Sequence, residues 1–284
     1  MGELLFGSEL SEKLKGMMRE TVKQYEKEGR RLPRLDTIVA GDDPASLSYI
    51  KGKQKACEFV GIRNVVHHLP STVSQRELEQ LIESCNRDEM CDGILLQMPL
   101  PEGLDANRAI LAIDPDKDVD GLHPLNVGRL YAGEPCFAPC TPVGIMLILE
   151  AMGCPIDGMR AVVIGRSRLV GNPVARLLQD KNATVTICHS HTRYLSSITK
   201  ECDIVVAACG QPEMLDHTYI KEGAYVVDVG INRKADGHLC GDVNTEDVLP
   251  YVSYVTPVPK GVGPMTICSL LHNTLTAYEK RCLR

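Results

Sequence analysis

The first half of the chain alternates between short apolar runs and amphipathic segments with apolar residues at helical spacing. A short apolar run between turn formers is typical of a buried strand, and a spacing of three to four residues predicts a helix. Helix ends are marked by Gly29, by Gly61 and by a capping box that begins at Ser74. The predicted strands are residues 35–40, 65–69 and 93–97, and the predicted helices are residues 8–28, 46–60 and 74–87. Strict alternation predicts a parallel sheet.

The alternation resumes after residues 128–140, which have little periodic signal and are predicted to form a linker. Thr141 and Pro142 begin a helix that is predicted to continue through Met152. The predicted strands that follow are residues 161–165, 184–188, 203–207 and 224–229, and a last helix is predicted at residues 265–281. This order predicts an α/β chain of two domains, of which the second is a Rossmann-type, doubly wound parallel sheet.

Composition narrows the classes of function. A chain of 284 residues with 44% hydrophobic content is long enough for two domains. Its net charge of -6 gives no electrostatic reason to expect nucleic acid or an anionic membrane as a partner. No apolar run approaches the ~18 residues that span a bilayer, and the first residues lack a basic leader. We therefore expect a cytoplasmic protein.

The 12 cysteines contain no C-x-x-C pair, and most of them lie in apolar stretches. They are interpreted as small core residues in a reducing compartment. Zinc ligation by Cys136 with Cys140, or by Cys188 with His189 and His191, matches no structural zinc spacing, and no metal is expected.

The segment from Asp114 to Asn126 concentrates charge beside turn formers. A solvated acidic loop is the simplest interpretation. Its D-x-D-x-D-G start resembles a calcium loop, but the closing bidentate glutamate is replaced by Val127, and Pro124 lies inside the loop without a helical pattern before it. The segment is therefore predicted to be a site of another kind.

A glycine-containing turn follows the first strand of the second domain. Gly165, Arg166 and Ser167 come directly after the apolar run, and Gly171 precedes a helix. Backbone N–H groups at such a helix start hold the pyrophosphate of a dinucleotide. The motif departs from G-x-G-x-x-G, since Ser167 replaces the second glycine and Gly171 lies one residue late. The order of strand and helix around it still predicts dinucleotide binding.

The end of the next strand indicates which dinucleotide is bound. An NAD site usually places Asp or Glu there to hold the ribose 2′-hydroxyl. This chain instead continues from Cys188 into His189, Ser190, His191 and, further on, Arg193. Such donors and cations, together with Arg166, suit a 2′-phosphate, so NADP is favoured over NAD. The strand that ends near Ile231 is expected to meet the nicotinamide end.

Two further positions stand out in the first half. Tyr49 and Lys53 lie four residues apart on one face of a predicted helix, and Gln97 ends a strand before Met-Pro-Leu-Pro. Taken alone, the pair fits a packed tyrosine beside a solvated lysine. Short-chain dehydrogenases also carry Tyr-x-x-x-Lys, but there the nucleotide loop precedes the pair, and the reversed order excludes that family.

Five separated motifs together resemble the bifunctional methylenetetrahydrofolate dehydrogenase/cyclohydrolase family over essentially the whole chain. They are Tyr49-Ile-Lys-Gly-Lys53, Leu96-Gln97-Met-Pro-Leu-Pro101, Asp116-Lys-Asp-Val-Asp120-Gly, Val163-Ile-Gly165-Arg-Ser167 with Val170-Gly171, and Val258-Pro-Lys-Gly-Val-Gly-Pro-Met-Thr266. The resemblance implies NADP-dependent oxidation of 5,10-methylenetetrahydrofolate to the methenyl form, followed by hydrolysis to 10-formyltetrahydrofolate, in one-carbon metabolism.

The resemblance also implies a layout and a set of roles. It implies two domains that flank a cleft: a folate-binding domain of residues 1–140 completed by the C-terminal helix 265–284, and an NADP-binding domain of residues 141–264. It implies a homodimer. Lys53 would be the acid/base group, oriented by Gln97, while Tyr49 would stack on the folate and Asp120 would accept hydrogen bonds from the pterin. Residues implied to contact NADP are Gly165, Arg166, Ser167, Gly171, Ser190 and Ile231, and Pro259 and Gly263 are implied to contact substrate.

One departure from the family concerns Lys260, which stands where the family usually has glycine. A positive φ there would cost a lysine about 1 to 2 kcal/mol. Three alternatives to the bifunctional interpretation remain: a monofunctional NAD-dependent dehydrogenase, a shikimate-type dehydrogenase and a non-catalytic nucleotide sensor. The presence of Lys53 and Asp120 argues against the sensor, and the motifs around Gln97 and Asp120 are unexplained by the shikimate type.

Overall fold

The structure is a computed structural model that describes residues 2–282. The helices are α1 (Gly7–Lys27), α2 (Pro44–Val60), α3 (Gln75–Arg87), α4 (Ala106–Ala112), α5 (Pro124–Ala132), α6 (Cys140–Ala151), α7 (Gly171–Asp180), α8 (Leu195–Thr199), α9 (Thr245–Val248) and α10 (Val262–Cys282). The strands are β1 (Glu3–Leu4), β2 (Arg34–Ala40), β3 (Arg63–Leu69), β4 (Gly93–Leu96), β5 (Arg160–Ile164), β6 (Thr184–Cys188), β7 (Ile204–Ala207), β8 (Tyr225–Asp228), β9 (Asn232–Arg233), β10 (Leu239–Cys240) and β11 (Tyr254–Val255). Short 3-10 helices lie at His217–Tyr219 and Leu249–Tyr251.

The chain forms two compact units. The first unit is Lys13–Cys140 with Ile267–Arg284, and the second is Met1–Glu12 with Thr141–Thr266. The sequence did not anticipate β1, which adds a parallel strand beside β11 and so groups the first residues with the second unit. A strand of two residues has no periodicity that a sequence pattern can reveal.

The first unit is built on a parallel sheet of three strands in the order β3-β2-β4. One face of the sheet presents Leu35 and Leu95 to an apolar cluster that contains Leu271 of α10. The other face presents Ile38 to a second cluster with Leu78 of α3. Burial on both faces explains the continuous apolar run of β4, whereas the partly exposed edge strand β3 carries polar residues such as His67 and His68.

Helix ends in the first unit follow local sequence signals. The Asp43 carboxylate accepts the Ser46 N–H at 2.7 Å and begins α2 at Pro44, and Gly61 ends it with φ 93°. The predicted capping box of Ser74 and its N3 glutamate is present at the start of α3. The caps at Asp43 and Gly61 fix the ends of α2, which carries Tyr49 and Lys53.

The prediction of a linker at residues 128–140 is wrong for its first part, because α5 extends to Ala132. His123 caps this helix through its ring nitrogen, Pro124 occupies its first turn, and Gly133 ends it with φ 72°. Gly128 lies within the helix and disguises its short apolar pattern. Sequence reasoning also missed α4, a helix of 7 residues.

The second unit contains a sheet of six strands in the order β1-β11-β8-β7-β5-β6, and every pairing within it is parallel. The chain moves from β5 outward to β6 and then returns to the other side of β5 as β7. That reversal is the topological switch point of a doubly wound sheet, where ligands bind at the carboxyl ends of the strands. The predicted α/β class with a Rossmann-type second sheet is confirmed. Among residues 2–282, no helix combines the length and apolar character needed to cross a membrane.

Candidate functional site

The first unit brings Tyr49 and Lys53 together on α2, as their spacing predicts. Lys53 is only 6% exposed, and its Nζ lies 4.4 Å from the centroid of the Tyr49 ring. Burial lowers the pKa of the Lys53 ammonium below its usual range, although the charge of Asp120 opposes that shift. The interpretation of Lys53 as a solvated surface lysine is therefore wrong.

Gln97 meets this lysine from the end of β4. Its backbone N–H still donates to Ile38 O at 2.8 Å, so the residue is fixed in line with the sheet. Its Oε1 accepts a hydrogen bond from Lys53 Nζ at 2.9 Å, and its Nε2 donates to Met98 O at 2.6 Å. Both ends of the amide are therefore engaged, which fixes its orientation and aims a carbonyl oxygen at the lysine.

The acidic segment separates into structural and site residues. Asp118 accepts N–H bonds from Leu122 at 3.2 Å and His123 at 2.8 Å and a side-chain bond from Asn126 at 2.9 Å, so its carboxylate shapes the turn. The buried Lys117 ammonium donates to three carbonyl oxygens around the C-terminus of α3. These bonds hold the segment at the C-terminus of α3, and the Ile94 N–H of β4 donates to Lys117 O at 2.8 Å.

Part of the argument against a calcium loop is wrong, because the helix α4 does precede the segment. Asp118 is nevertheless committed to backbone and amide donors, and Asp116 lies exposed beside Arg129. Within residues 2–282, the groups of three possible metal ligands lie elsewhere, at Asp36, His67 and Cys85 and at Asp216, His217 and Asp247.

Asp120 is the carboxylate of this segment that approaches Lys53. Its burial raises the pKa of its carboxyl group, and Lys53 opposes that shift. Desolvation raises the pKa of Tyr49 to about 12, with a smaller contribution from Asp120, although 38% of that residue is exposed. The phenol therefore stays protonated at neutral pH. The site combines a lysine with a lowered pKa, a neutral phenol and a buried carboxylate. This combination is expected of acid–base chemistry.

Sequence reasoning treated Cys140 as a core thiol and did not select Asn273. The Cys140 thiol is buried and hydrogen-bonds to Asp120, and burial raises its pKa well above the usual range. Asn273 of α10 donates to Val119 O at 2.9 Å and lies 3.8 Å from Cys140 Sγ. No local signal identifies these residues, since Asn273 and Val119 are 154 positions apart.

In the second unit, the predicted phosphate loop follows β5 at the switch point. A Cβ on Gly165 would lie 2.2 Å from Ala208 O, and one on Gly171 would lie 2.2 Å from Gly165 O. Only glycine permits these close approaches of backbone. Gly171 therefore performs the helix–strand packing of the third glycine, one residue later than the usual motif. This cradle at the N-terminus of α7 fits the pyrophosphate of a dinucleotide.

Ser167 also stabilises the start of α7. Its Oγ accepts the N–H bonds of Val170 and Gly171, each at 3.2 Å. A hydroxyl that accepts two bonds still has its own proton to donate, for example to a phosphate oxygen. Arg166 is exposed beside it. Ser190 and His191 are exposed after β6, where the His189 ring accepts the His191 N–H at 3.2 Å.

The remaining predicted residues, Ile231, Pro259 and Gly263, belong to the second unit, whereas Tyr49 and Lys53 belong to the first. Ile231 is 68% exposed at the loop that follows β8. Pro259 is also exposed.

Lys260 has φ 80°, so the conformation suspected from the sequence is present. The left-handed region costs a non-glycine residue roughly 1 to 2 kcal/mol. Glycine relieves that cost but loses more entropy on folding, so Lys260→Gly should raise the free energy of unfolding by a net of only about 0.5 to 1 kcal/mol. Denaturant unfolding measures this. The matched control is Lys181→Gly, at an exposed lysine with φ -99°, which should be destabilising. A loss of stability in both variants would contradict the prediction.

Comparison with known proteins identifies the family. Residues 5–120 match the profile "Tetrahydrofolate dehydrogenase/cyclohydrolase, catalytic domain", and residues 139–282 match "Tetrahydrofolate dehydrogenase/cyclohydrolase, NAD(P)-binding domain". The chain belongs to the tetrahydrofolate dehydrogenase/cyclohydrolase family. The resemblance drawn from the five motifs is thereby confirmed.

Relatives of the tetrahydrofolate dehydrogenase/cyclohydrolase family match the chain over nearly its full length. The "Bifunctional protein FolD" of Oceanobacillus iheyensis is 50% identical over 279 residues, which are 98% of each chain. The bifunctional FolD of Campylobacter jejuni is 44% identical with a TM-score of 0.96, covering 99% of this chain and 100% of that one. The Trypanosoma brucei FolD, complexed with NADP and an inhibitor, is 38% identical with a TM-score of 0.93, covering 100% and 99%. These matches favour the folate interpretation over a shikimate-type dehydrogenase.

Proposed function

We propose that this chain oxidises 5,10-methylenetetrahydrofolate with NADP and then hydrolyses the methenyl product to 10-formyltetrahydrofolate. The observation that carries the proposal is the buried lysine of the first unit, whose Nζ donates to Gln97 Oε1 at 2.9 Å beside the Tyr49 ring. A lysine with a lowered pKa can serve as a general base near neutral pH. Family membership supports the same pair of reactions.

For hydrolysis, we assign the proton transfers to Lys53. Neutral Nζ removes a proton from the water that attacks the methenyl carbon. The resulting ammonium then returns a proton to the ring nitrogen as the bond between that nitrogen and the carbon breaks. The hydroxyl on the same carbon loses its proton to solvent and becomes the carbonyl, so a formyl group remains on the other nitrogen. The Gln97 amide holds Nζ in place, and the Tyr49 ring offers a flat apolar surface for the pterin. Asp120 accepts hydrogen bonds from the donors at the pterin edge, since an ionised carboxylate is an acceptor only.

For oxidation, the second unit supplies the cofactor site. When bound, NADP accepts a hydride from the methylene carbon of the substrate. Gly165 and Gly171 leave room for the pyrophosphate, and Ser167 holds the start of α7. Arg166 and Ser190 would hold the 2′-phosphate, and Ile231 would line the nicotinamide end. Loss of the hydride releases no proton, so this step depends mainly on positioning.

A spectrophotometric assay of the purified chain tests the proposal. With methylenetetrahydrofolate, NADP should be reduced and NAD should support a lower rate, and methenyltetrahydrofolate should be hydrolysed without cofactor. Efficient reduction of NAD combined with absent hydrolysis would support the monofunctional alternative instead.

Arg166→Ala should weaken the binding of NADP far more than the binding of NAD. A charge-assisted contact to the 2′-phosphate is worth about 1.5 to 3 kcal/mol, which corresponds to roughly 10- to 150-fold in the dissociation constant. Titration of the free enzyme with each cofactor measures this difference.

Arg160→Ala is the matched control, because Arg160 is an exposed arginine at the amino end of β5 that pairs with Glu201. It should leave both cofactor affinities unchanged. Equal weakening of NADP and NAD by Arg166→Ala would remove this arginine from 2′-phosphate recognition.

We further propose that the enzyme is a cytoplasmic homodimer that serves one-carbon metabolism and hence purine and amino-acid biosynthesis. The proposal rests on the family resemblance, and the net charge of -6 gives no electrostatic reason to expect the chain on nucleic acid or an anionic membrane. Sedimentation equilibrium of the purified chain tests the dimer, and a mass of one chain at micromolar concentration would contradict it.

A further inference from the structure

Two buried carboxylates in the second unit have no place in the chemistry described above. Asp228 is 1% exposed at the end of β8, and Asp242 is 0% exposed shortly after β10. Removing a carboxylate from water costs several kcal/mol unless hydrogen bonds compensate, and an apolar core would avoid that cost. Their positions therefore call for an explanation beyond stability.

The Asp242 carboxylate accepts hydrogen bonds from two loops, two at each oxygen. Its Oδ2 accepts the backbone N–H groups of Cys209 at 2.7 Å and Gly210 at 2.9 Å. Its Oδ1 accepts the N–H of Gln211 at 2.9 Å and the Nδ2 of Asn232 at 2.8 Å. One carboxylate thus joins the loop that follows β7 to the start of β9.

Asp228 in turn fixes the backbone around Asp242. It accepts the N–H bonds of Gly230 at 3.0 Å, Asp242 at 2.9 Å and Val243 at 2.9 Å. A Cβ on Gly230 would lie 2.3 Å from Asp242 Oδ1, so no side chain fits between the loops. Burial raises the pKa of Asp228 to about 7, although the three N–H donors act to lower it.

The loops so fixed lie at the carboxyl edge of the sheet. β7 ends at Ala207, and the next residue, Ala208, is in close approach to Gly165 of the phosphate loop. In a doubly wound sheet, the pyrophosphate binds at the switch point and the adenosine half extends over the strand to one side, here β6. The nicotinamide half therefore extends over β7 and β8, where residues 209–211 and 230–232 follow the strands.

We propose that Asp242 is a positioning residue that holds residues 209–211 and 230–232 in the shape that receives the nicotinamide half of the cofactor. The proposal rests on the NADP-dependent function proposed above. The carboxylate touches neither cofactor nor substrate in this role. It acts by pre-organising backbone groups, which lowers the cost of ordering them on binding.

Comparison of a whole cofactor with a fragment tests the proposal. In Asp242→Asn, an NH₂ group faces backbone N–H donors, and the loops should lose their fixed shape. The dissociation constant for NADP should rise at least about 10-fold, whereas that for adenosine 2′,5′-bisphosphate, which lacks the nicotinamide half, should change less than about twofold. The kcat for dehydrogenation should also fall, whereas the kcat for hydrolysis should not change.

Two further variants separate positioning from loss of fold. Asn232→Ala removes one donor to Asp242 and should show the same selectivity with a smaller effect. Asp92→Asn removes a buried carboxylate of the first unit, which pairs with Arg31, and should lower the melting temperature without selective loss of NADP.

Equal weakening of NADP and the fragment by Asn232→Ala, or unchanged NADP affinity in Asp242→Asn, would overturn the positioning role while leaving the proposed function intact. Failure of the unaltered enzyme to bind NADP would instead contradict the proposed function itself.

Discussion

Replacement of Lys53 by methionine is expected to abolish hydrolysis of methenyltetrahydrofolate while leaving NADP binding intact. General acid–base catalysis of this kind is typically worth ~10² to 10⁴-fold, and Lys53 is the group we assign to both proton transfers. Dehydrogenation should fall less, because the hydride transfer needs no proton acceptor and loses only the bond between Nζ and Gln97 Oε1. Both rates are measured on the same purified variant.

Lys55→Met is the matched control, since Lys55 is an exposed lysine on the same helix. It should retain both activities. A Lys53→Met enzyme that hydrolyses methenyltetrahydrofolate at the parent rate would remove Lys53 from the mechanism.

The direction of the Lys53 pKa shift gives the hydrolysis a pH dependence. Burial is the largest cause of the shift and disfavours the charged ammonium, so the pKa lies below the usual lysine range. The neutral base is the active form, and the hydrolysis rate should therefore rise as pH increases through that lowered pKa and then level off.

The central strands of the second sheet could be predicted from the sequence because they are buried on both faces. The apolar runs predicted at residues 161–165 and 203–207 correspond to β5 and β7. β5 begins and ends one residue earlier than predicted, and β7 begins one residue later. Continuous apolar runs between glycines and turn formers are a strong local signal, and parallel sheets produce them. Elements without such a signal, such as β1, α4 and α5, were missed.

Part of the candidate site could also be predicted, because its residues occupy the ends of elements or one face of a helix. The spacing of Tyr49 and Lys53 placed them on one face of α2, and Gln97 follows β4 at the carboxyl edge. Cys140 and Asn273 could not be found in this way. They reach the site through contacts between segments that are distant in sequence, and no periodicity records such contacts.

The same limit applies to residues that support a site from behind. Lys117 and Asp118 belong to the segment that was predicted to be a functional site, yet their side chains hold backbone groups around α3 and α5. Asp242 was not selected from the sequence, yet its carboxylate accepts hydrogen bonds from the three consecutive N–H groups of residues 209–211. The sequence shows only that a charged side chain needs hydrogen-bond partners. Whether those partners are backbone groups or a ligand depends on the tertiary structure.

Asp120→Asn should impair both activities together through weaker folate binding. An amide offers one acceptor oxygen in place of a carboxylate with two, and its NH₂ would face the donors of the pterin edge. Hydrogen bonds to a charged group are worth about 1.5 to 3 kcal/mol each, so the KM for both folates should rise at least about 10-fold. Asp116→Asn is the control, because Asp116 is an exposed carboxylate of the same segment. Parent KM values in Asp120→Asn, or an equal loss on calcium chelation, would contradict this role.

Asp120→Asn should also move the pH dependence of hydrolysis, and the sign of the shift tests the coupling between Asp120 and Lys53. The negative charge of Asp120 favours the ammonium form and so raises the pKa of Lys53, against the larger effect of burial. Without that charge, the pKa should fall further, and a larger fraction of Lys53 is then neutral at any given pH. The rising limb of hydrolysis at saturating folate should therefore shift to lower pH, whereas a residue that only binds substrate would leave it in place. A shift to higher pH would contradict this coupling, and loss of hydrolysis even at saturating folate would show that the carboxylate, rather than the lysine, accepts the proton from water.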